Sequence, residues 1–361
     1  MLGLLVAAIL TVLFTKKCPP KPKLAWYEKE IVYEIYVPTF QDTNQDGIGD
    51  LKGIEKKLDY FEKLNVKSLL LKSSIFEPPV GGRSSRSLSV DTPEKESDLM
   101  EINPKFGSNQ DYQTLAKMLT RKDMHLIVDL PLSTYDSNSG TWYGMNSSSR
   151  SFETNRNLCD TDRNSYGCAY SRFYKRLPLD FDDELVSQTS QDRLRYWLTS
   201  RKIDGVRVDL PLMKDYSISY VTIDKWKTIV KKAEKLTLKP KLLLFNIPLQ
   251  LHEFSVGSKS YLELLNQVPH QLILNNQQQN ITAKQLHERF QLIRDNNNLT
   301  IPKFWQLGYP RSSIYSMNGL SSEMMLTMGL LFGGTPIVLY GEEIGLEPIE
   351  QVGLTVLAHD F

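Results

Sequence analysis

The chain has 361 residues, 41% of them hydrophobic and 24% charged, enough apolar material to bury one large core. Its 43 Lys and Arg against 42 Asp and Glu leave a net charge of +1 at pH 7. That balance excludes a broad field for nucleic acid or other acidic polymers. Residues 1–17 open with an uncharged apolar run, Leu2 to Phe14, which meets Lys16 and Lys17. At about 14 residues it is shorter than the roughly 20 that span a bilayer, so a cleaved signal peptide and an incomplete signal-anchor both fit. Charge alone would put the side after Lys16 and Lys17 in the cytoplasm; the run is instead expected to be the remnant of a longer span lacking its cytoplasmic flank. Residues 18–26 form a stiff Pro-rich linker, Cys18 followed by Pro19-Pro20-Lys21-Pro22.

Beyond the linker, short β-branched runs alternate with helical periodicity. Eight strands are predicted, at Ile31–Val37, Lys67–Lys72, His125–Leu132, Gly205–Leu210, Lys241–Ile247, Gln271–Leu274, Phe304–Leu307 and Pro336–Tyr340. Helices are predicted over Leu51–Leu64, Asn109–Leu119, Asp192–Leu198, Lys225–Leu236, Ala283–Ile293 and Ser321–Leu331. Such alternation predicts a (β/α)8 TIM barrel, built from residues 27–132 and 184–361, with its site at the C-terminal strand ends. Residues 133–183, rich in Ser, Asn, Tyr and Arg, are too long for a plain βα loop and read as an insertion after the third strand.

Cys159 and Cys168 lie close together in that insertion, a spacing that suits a local disulfide or two free thiols. Cys18 is then left over, which fits an intermolecular disulfide to a membrane neighbour, or an unreactive or palmitoylated thiol. Asn-x-Ser/Thr triplets at Asn146, Asn280 and Asn298 are compatible with a glycosylated lumenal or extracellular body.

Three motifs carry chemistry. From Asp42 to Asp50 the chain reads Asp-Thr-Asn-Gln-Asp-Gly-Ile-Gly-Asp, with oxygen donors at alternate positions as a hard cation requires. An EF-hand would need Glu at the twelfth position, which is Gly53; a solvated polar turn without metal is the alternative. Gly205-Val-Arg207-Val-Asp209 ends the fourth strand with a candidate carboxylate nucleophile, and Gly334-Thr-Pro336 with Tyr340-Gly-Glu-Glu343 marks the eighth.

In that order, these stretches resemble the α-amylase family of glycoside hydrolases, in its α-glucosidase branch. The resemblance implies a (β/α)8 barrel with a B domain inserted after strand three, here shortened, and a C-terminal β-sandwich, here absent or truncated. It implies a structural Ca2+ held by Asp42, Asn44, Asp46, Asp50 and the Ile48 carbonyl. It also implies an acid/base Glu at the end of strand five, where Asn246 stands, and a third carboxylate after strand seven, where Arg311 stands. Thr134 takes the place of the sugar-binding His at the end of the Asp129–Thr134 stretch. Retaining cleavage needs a carboxylate nucleophile and a carboxylic acid, and an amide has no proton to give. Glu253, the nearest downstream carboxylate, lies well past the strand end.

Asp209 is therefore expected to be a relic or a structural hydrogen-bond acceptor, and the chain to be no enzyme. A barrel without its catalysts, behind a juxtamembrane cysteine and an apolar segment, resembles the rBAT-type heavy chains of heteromeric amino acid transporters. That likeness implies a type II plasma-membrane glycoprotein that binds and traffics a multi-pass light chain through Cys18. An active membrane-bound or secreted α-glucosidase and a secreted sugar-binding protein are the alternatives.

Overall fold

Apolar, β-branched runs too short for helices supply the strands, and periodic stretches between them supply the helices. The computed structural model describes residues 23–72, 100–136, 176–209, 220–246, 269–273, 303–306, 334–346, 349–351 and 354–356, with positions 3, 10, 75, 284, 287, 327 and 329–331. In chain order the elements are β1 (Val32–Ile35), α1 (Leu51–Lys56), α2 (Leu58–Lys63), β2 (Ser68–Leu71), α3 (Asn109–Arg121), β3 (His125–Asp129), β4 (Thr134–Asp136) and β5 (Arg176–Pro178). They continue with α4 (Glu184–Thr199), β6 (Gly205–Asp209), α5 (Tyr220–Thr237), β7 (Leu242–Asn246), β8 (His270–Ile273), β9 (Lys303–Gln306), β10 (Thr335–Leu339), β11 (Ile349–Gln351) and β12 (Leu354–Val356).

Eight strands close into a barrel in the order β1-β10-β9-β8-β7-β6-β3-β2. All its pairings are parallel, and β1 closes the ring on both sides, with Val32 opposite Ile337 of β10 and Ser68 of β2. All eight predicted strands are present, each within a few residues of its expected bounds. The antiparallel pair β4–β5 brackets residues 137–175 of the insertion, which lie outside the described residues.

The helices depart from expectation in length. The stretch predicted as one helix over Leu51–Leu64 divides at Lys57, where amide bonds of the tighter 3-10 kind take over: Lys57 to Ile54 and Tyr60 to Lys57. Asp50 caps α1 by accepting from the Gly53 amide at 2.9 Å. The helix expected from Asp192 begins eight residues earlier, because Asp183 caps it through the Leu185 and Val186 amides. Its first two turns carry few large apolar residues, so the periodicity is weak there. A reciprocal capping box between Ser108 and Asp111 starts α3.

The helices bury their apolar faces against the outside of the barrel. Trp197 of α4 and Trp226 of α5 are both fully buried, Trp197 edge-on to Tyr112 of α3 and Trp226 edge-on to Phe181. Truncating a side chain of that size costs about 3–5 kcal/mol. The inside of the barrel follows the alternation of the strands. Val32, Leu70, Ile127, Leu242, Leu244, Phe304 and Ile337 fill its apolar layer.

After β10 the chain turns sharply at Gly341, whose φ of +88 and close approach to Leu346 exclude a side chain. Glu343 then accepts from the Tyr33 and Tyr60 hydroxyls, each at 2.6 Å, and from the Gly341 amide. Glu342 accepts from the Leu339 amide at 3.0 Å. The Gly-Glu-Glu stretch thus fastens the last strand to the first.

Candidate active-site layer at the barrel mouth

Two residues further along five of the barrel strands, the same inward parity reaches a polar layer. Val32 is followed by Glu34, Ile127 by Asp129, Gly205 by Arg207, Leu244 by Asn246 and Phe304 by Gln306. All five of these polar residues are at most 2% exposed. Arg207 Nη2 donates to Glu34 Oε1 at 3.0 Å and to Asp129 Oδ2 at 2.9 Å. Gln306 Nε2 donates to Glu34 Oε2 at 2.5 Å, and Lys72 Nζ lies 3.7 Å from Glu34 Oε1. Burial works against the Arg207 charge, but Asp129 and Glu34 outweigh it and hold the guanidinium above its ordinary range.

At the next step Asp209 ends β6 and Asn246 ends β7, and the two are paired in register. Adjacent strands lie about 4.8 Å apart, so position 246 is a neighbour to which a nucleophile at 209 could look for its acid. An amide stands there. Both other carboxylates of the described layer, Glu34 and Asp129, are tied to Arg207. Among the described residues, the layer offers charge balance and rigidity.

The sequence motif singled out Arg207, Asp209 and Asn246, and the fold brings them to one end of the barrel. It did not single out Glu34, Gln306 or Lys72 as partners. The signal was a charged residue within an otherwise uncharged strand, Val32-Tyr33-Glu34-Ile35, whose parity matches Val32. Thr134 begins β4, just outside the barrel strands.

The Asp42–Asp50 loop uses its oxygens on its own amides. Asp42 accepts from Asn44, Gln45 and Gly47, Asn44 Oδ1 from Asp46, and Asp46 Oδ1 from Ile48. Desolvation works against the Asp42 charge, but the Gly47, Gln45 and Asn44 amides together outweigh it and hold the carboxyl below the usual carboxylate range. Asp50 accepts from the Thr43 amide and hydroxyl. Among the described residues, no three His, Cys, Asp or Glu side chains group as a metal site. Asp42, Asp46 and Asp50, the three carboxylates of the expected set, are all described and do not form such a group.

A second polar cluster, unforeseen from the sequence, lies at the N-terminal end of the barrel. His125 stands between Glu30 at 3.9 Å and Asp204 at 3.7 Å, and Trp26 stacks on its ring at 4.1 Å. Lys241, 4% exposed, donates to the Ile203 carbonyl at 2.6 Å and lies 3.5 Å from Asp204. Burial disfavours the Asp204 charge, but His125, Lys241 and the Leu126 amide outweigh it and hold the carboxyl below its usual range.

Cys18, Cys159, Cys168, Asn146, Asn280, Asn298, Glu253 and Arg311 lie outside the described residues, as do the side chains of Asp209 and Thr134. No helix among the described residues is long and apolar enough to cross a membrane.

Residues 34–157 match the family model described as alpha amylase, catalytic domain. Alpha-amylase 3 of Dictyoglomus thermophilum is 26% identical over 349 residues, covering 89% of this chain and 65% of that protein. An alpha-glucosidase of Schizosaccharomyces pombe is 30% identical over 52% of this chain and 35% of its own length. The amino acid transporter heavy chain SLC3A1 of Rattus norvegicus is 28% identical over 57% of this chain and 32% of its own length. The chain thus spans under two thirds of each of these relatives. Among solved structures, a family GH13_31 enzyme superposes with a TM-score of 0.59 at 18% identity, covering 91% of this chain and 69% of that one. The fold is therefore the (β/α)8 barrel that this enzyme also has, and the chain's relatives include both α-glucosidases and amino acid transporter heavy chains.

Proposed function

We propose that the chain is a catalytically silent, α-glucosidase-like ectodomain that binds, stabilises and traffics a multi-pass amino acid transporter light chain at the plasma membrane. The observation that carries this reading is Asn246 in register with Asp209: the position beside this nucleophile candidate holds a group that cannot protonate a leaving sugar. Similarity to the SLC3A1 heavy chain supports it from a separate direction. In this reading the run from Leu2 to Phe14 is the membrane segment of a type II protein. Cys18 forms the disulfide to the light chain, Cys159 and Cys168 pair with each other, and Asn146, Asn280 and Asn298 carry glycans.

Purified protein incubated with maltose or a chromogenic α-glucoside should release no glucose or dye; turnover at ordinary enzyme rates, about 1 per second or faster, ends the silent reading. In cells, a non-reducing gel should show a thiol-sensitive, higher-mass band that Cys18→Ser removes. If no such band forms, the disulfide-linked partner is withdrawn.

A second reading, an active retaining α-glucosidase, is favoured by Asp209 and Arg207 and by the similarity to the fission-yeast alpha-glucosidase. The same turnover assay decides between them. We also propose Ca2+ at Asp42, Asn44, Asp46, Asp50 and the Ile48 carbonyl, where it would supply a fixed positive charge that orders the loop ahead of α1. Chelation should then lower the melting temperature, since metal bound only by the folded state stabilises it.

A further inference from the structure

The last turn of α5 and the residues after it expose leucine where the fold gains nothing from it. Leu236 and Leu238 are 75% and 89% exposed. Leu238 also has a φ of +55, in the left-handed region that glycine occupies without strain. The other non-glycine residues at positive φ among those described are Gln45, Asn65, Asp123 and Lys202, all polar. An apolar side chain that is both strained and in water points to a contact outside the chain.

The N-terminal segment meets α5 at this place. Trp26 Nε1 donates to the Pro240 carbonyl at 3.0 Å, and Leu24, just before it, is 42% exposed. Lys231, Lys232, Lys235 and Lys239 of this stretch are exposed, and so is Lys23. Lysines suit the negative end of a helix dipole, which accounts for Lys235 and leaves the leucines unexplained. Between Phe14 and Lys23 lie nine residue steps, a reach of at most about 30 Å.

We infer that this edge of the barrel rests on the lipid surface of the membrane that the run from Leu2 to Phe14 enters. Leu24, Leu236 and Leu238 contact the boundary between headgroups and acyl chains, while Lys23, Lys235 and Lys239 reach the lipid phosphates. The inference rests on the membrane-anchored reading of the chain. It adds an orientation: the N-terminal ends of the barrel strands face the bilayer, and the polar mouth with Asp209 faces away.

The test uses the full chain in phosphatidylcholine vesicles whose acyl chains are brominated near the headgroup, and it compares Leu236→Trp with Val221→Trp. Val221 is 64% exposed at the other end of the same helix, about 22 Å away at 1.5 Å per residue. Bromine should quench the added Leu236→Trp emission at least about twofold more than that of Val221→Trp, and Lys235→Glu with Lys239→Glu should reduce the difference. Equal quenching of the two in chains that float with the vesicles overturns the orientation alone. Chains that do not float overturn the anchored reading and the inference with it. Leu236→Trp quenching that needs a co-reconstituted light chain assigns the patch to protein and overturns the lipid contact.

Discussion

Replacing Arg207 by Met tests whether the polar layer holds the barrel mouth together. The guanidinium is fully buried and its Nη2 serves two carboxylates, Glu34 and Asp129, at 3.0 and 2.9 Å. Removing one partner of a buried ion pair costs about 3–5 kcal/mol, because a charge is left in a poorly solvated place. One cation serves two anions here, so the upper end, about 5 kcal/mol, applies. At roughly 2.1 cal/mol/K of unfolding entropy per residue, 361 residues convert this to a fall of about 6–7 °C in Tm. Arg195→Ala is the control: its ion pair with Asp192 is about half exposed on both sides and should be worth under about 1 kcal/mol. Adding Glu34→Gln to Arg207→Met should recover part of the loss, since a neutral amide replaces one of the stranded charges. The assay is thermal unfolding followed by far-UV circular dichroism. An Arg207→Met protein melting within about 1 °C of the parent would refute the reasoning, because the two carboxylates would then be stabilised without the guanidinium.

Asp204→Asn should flatten the acid side of the stability profile. The folded carboxyl titrates below its unfolded value, so its contribution is present above the ordinary carboxylate pKa of about 4 and is lost as pH falls below it. Melting temperatures measured between pH 7 and pH 3 should therefore fall less steeply for the variant than for the parent, and parallel profiles would contradict the assignment. Gly49→Ala should be among the most damaging small changes, because an added Cβ would lie 2.1 Å from the Val37 carbonyl oxygen and 3.1 Å from the Gln41 amide. Main-chain atoms cannot rotate aside, so a loss of about 3 kcal/mol or more is expected by urea unfolding, whereas Gly47→Ala meets only open space and is opposed by its φ of +83 alone.

Much of the barrel was legible because strand content there is set by local composition. Runs such as Lys67–Lys72 and Lys241–Ile247 are apolar and short, with helical periodicity on both sides, and a parallel sheet buried on both faces produces that pattern. Helix starts were less legible where capping rather than periodicity decides them, as at Asp183. The functional layer was legible only along each strand. The pairing of Asp209 with Asn246 follows from register between neighbouring strands, but the links from Glu34 to Arg207 and to Gln306 run across the barrel interior. Residues 173 and 272 positions apart meet there, and no local pattern in one sequence encodes such a meeting. The cluster at the opposite end, with Glu30, His125, Asp204 and Lys241 drawn from four segments, was hidden for the same reason.

The persistence of Arg207 two residues before Asp209 has two explanations that the fold allows to be separated. Arg207 on β6 binds Asp129 on β3 and Glu34 on β1, while Gln306 on β9 binds the same Glu34. The upper ends of four strands are thus joined through the barrel interior, so the arginine serves closure whether or not sugar is ever cleaved. If closure alone retains the pattern, Arg207→Met should lower Tm by several degrees while Asp209→Asn changes it by less than about 2 °C, and neither should alter an absent turnover. If Asp209→Asn instead abolishes measurable release of a chromogenic leaving group, the aspartate is at work, and a proton donor must reach it from outside the layer formed by Glu34, Asp129, Arg207, Asn246 and Gln306.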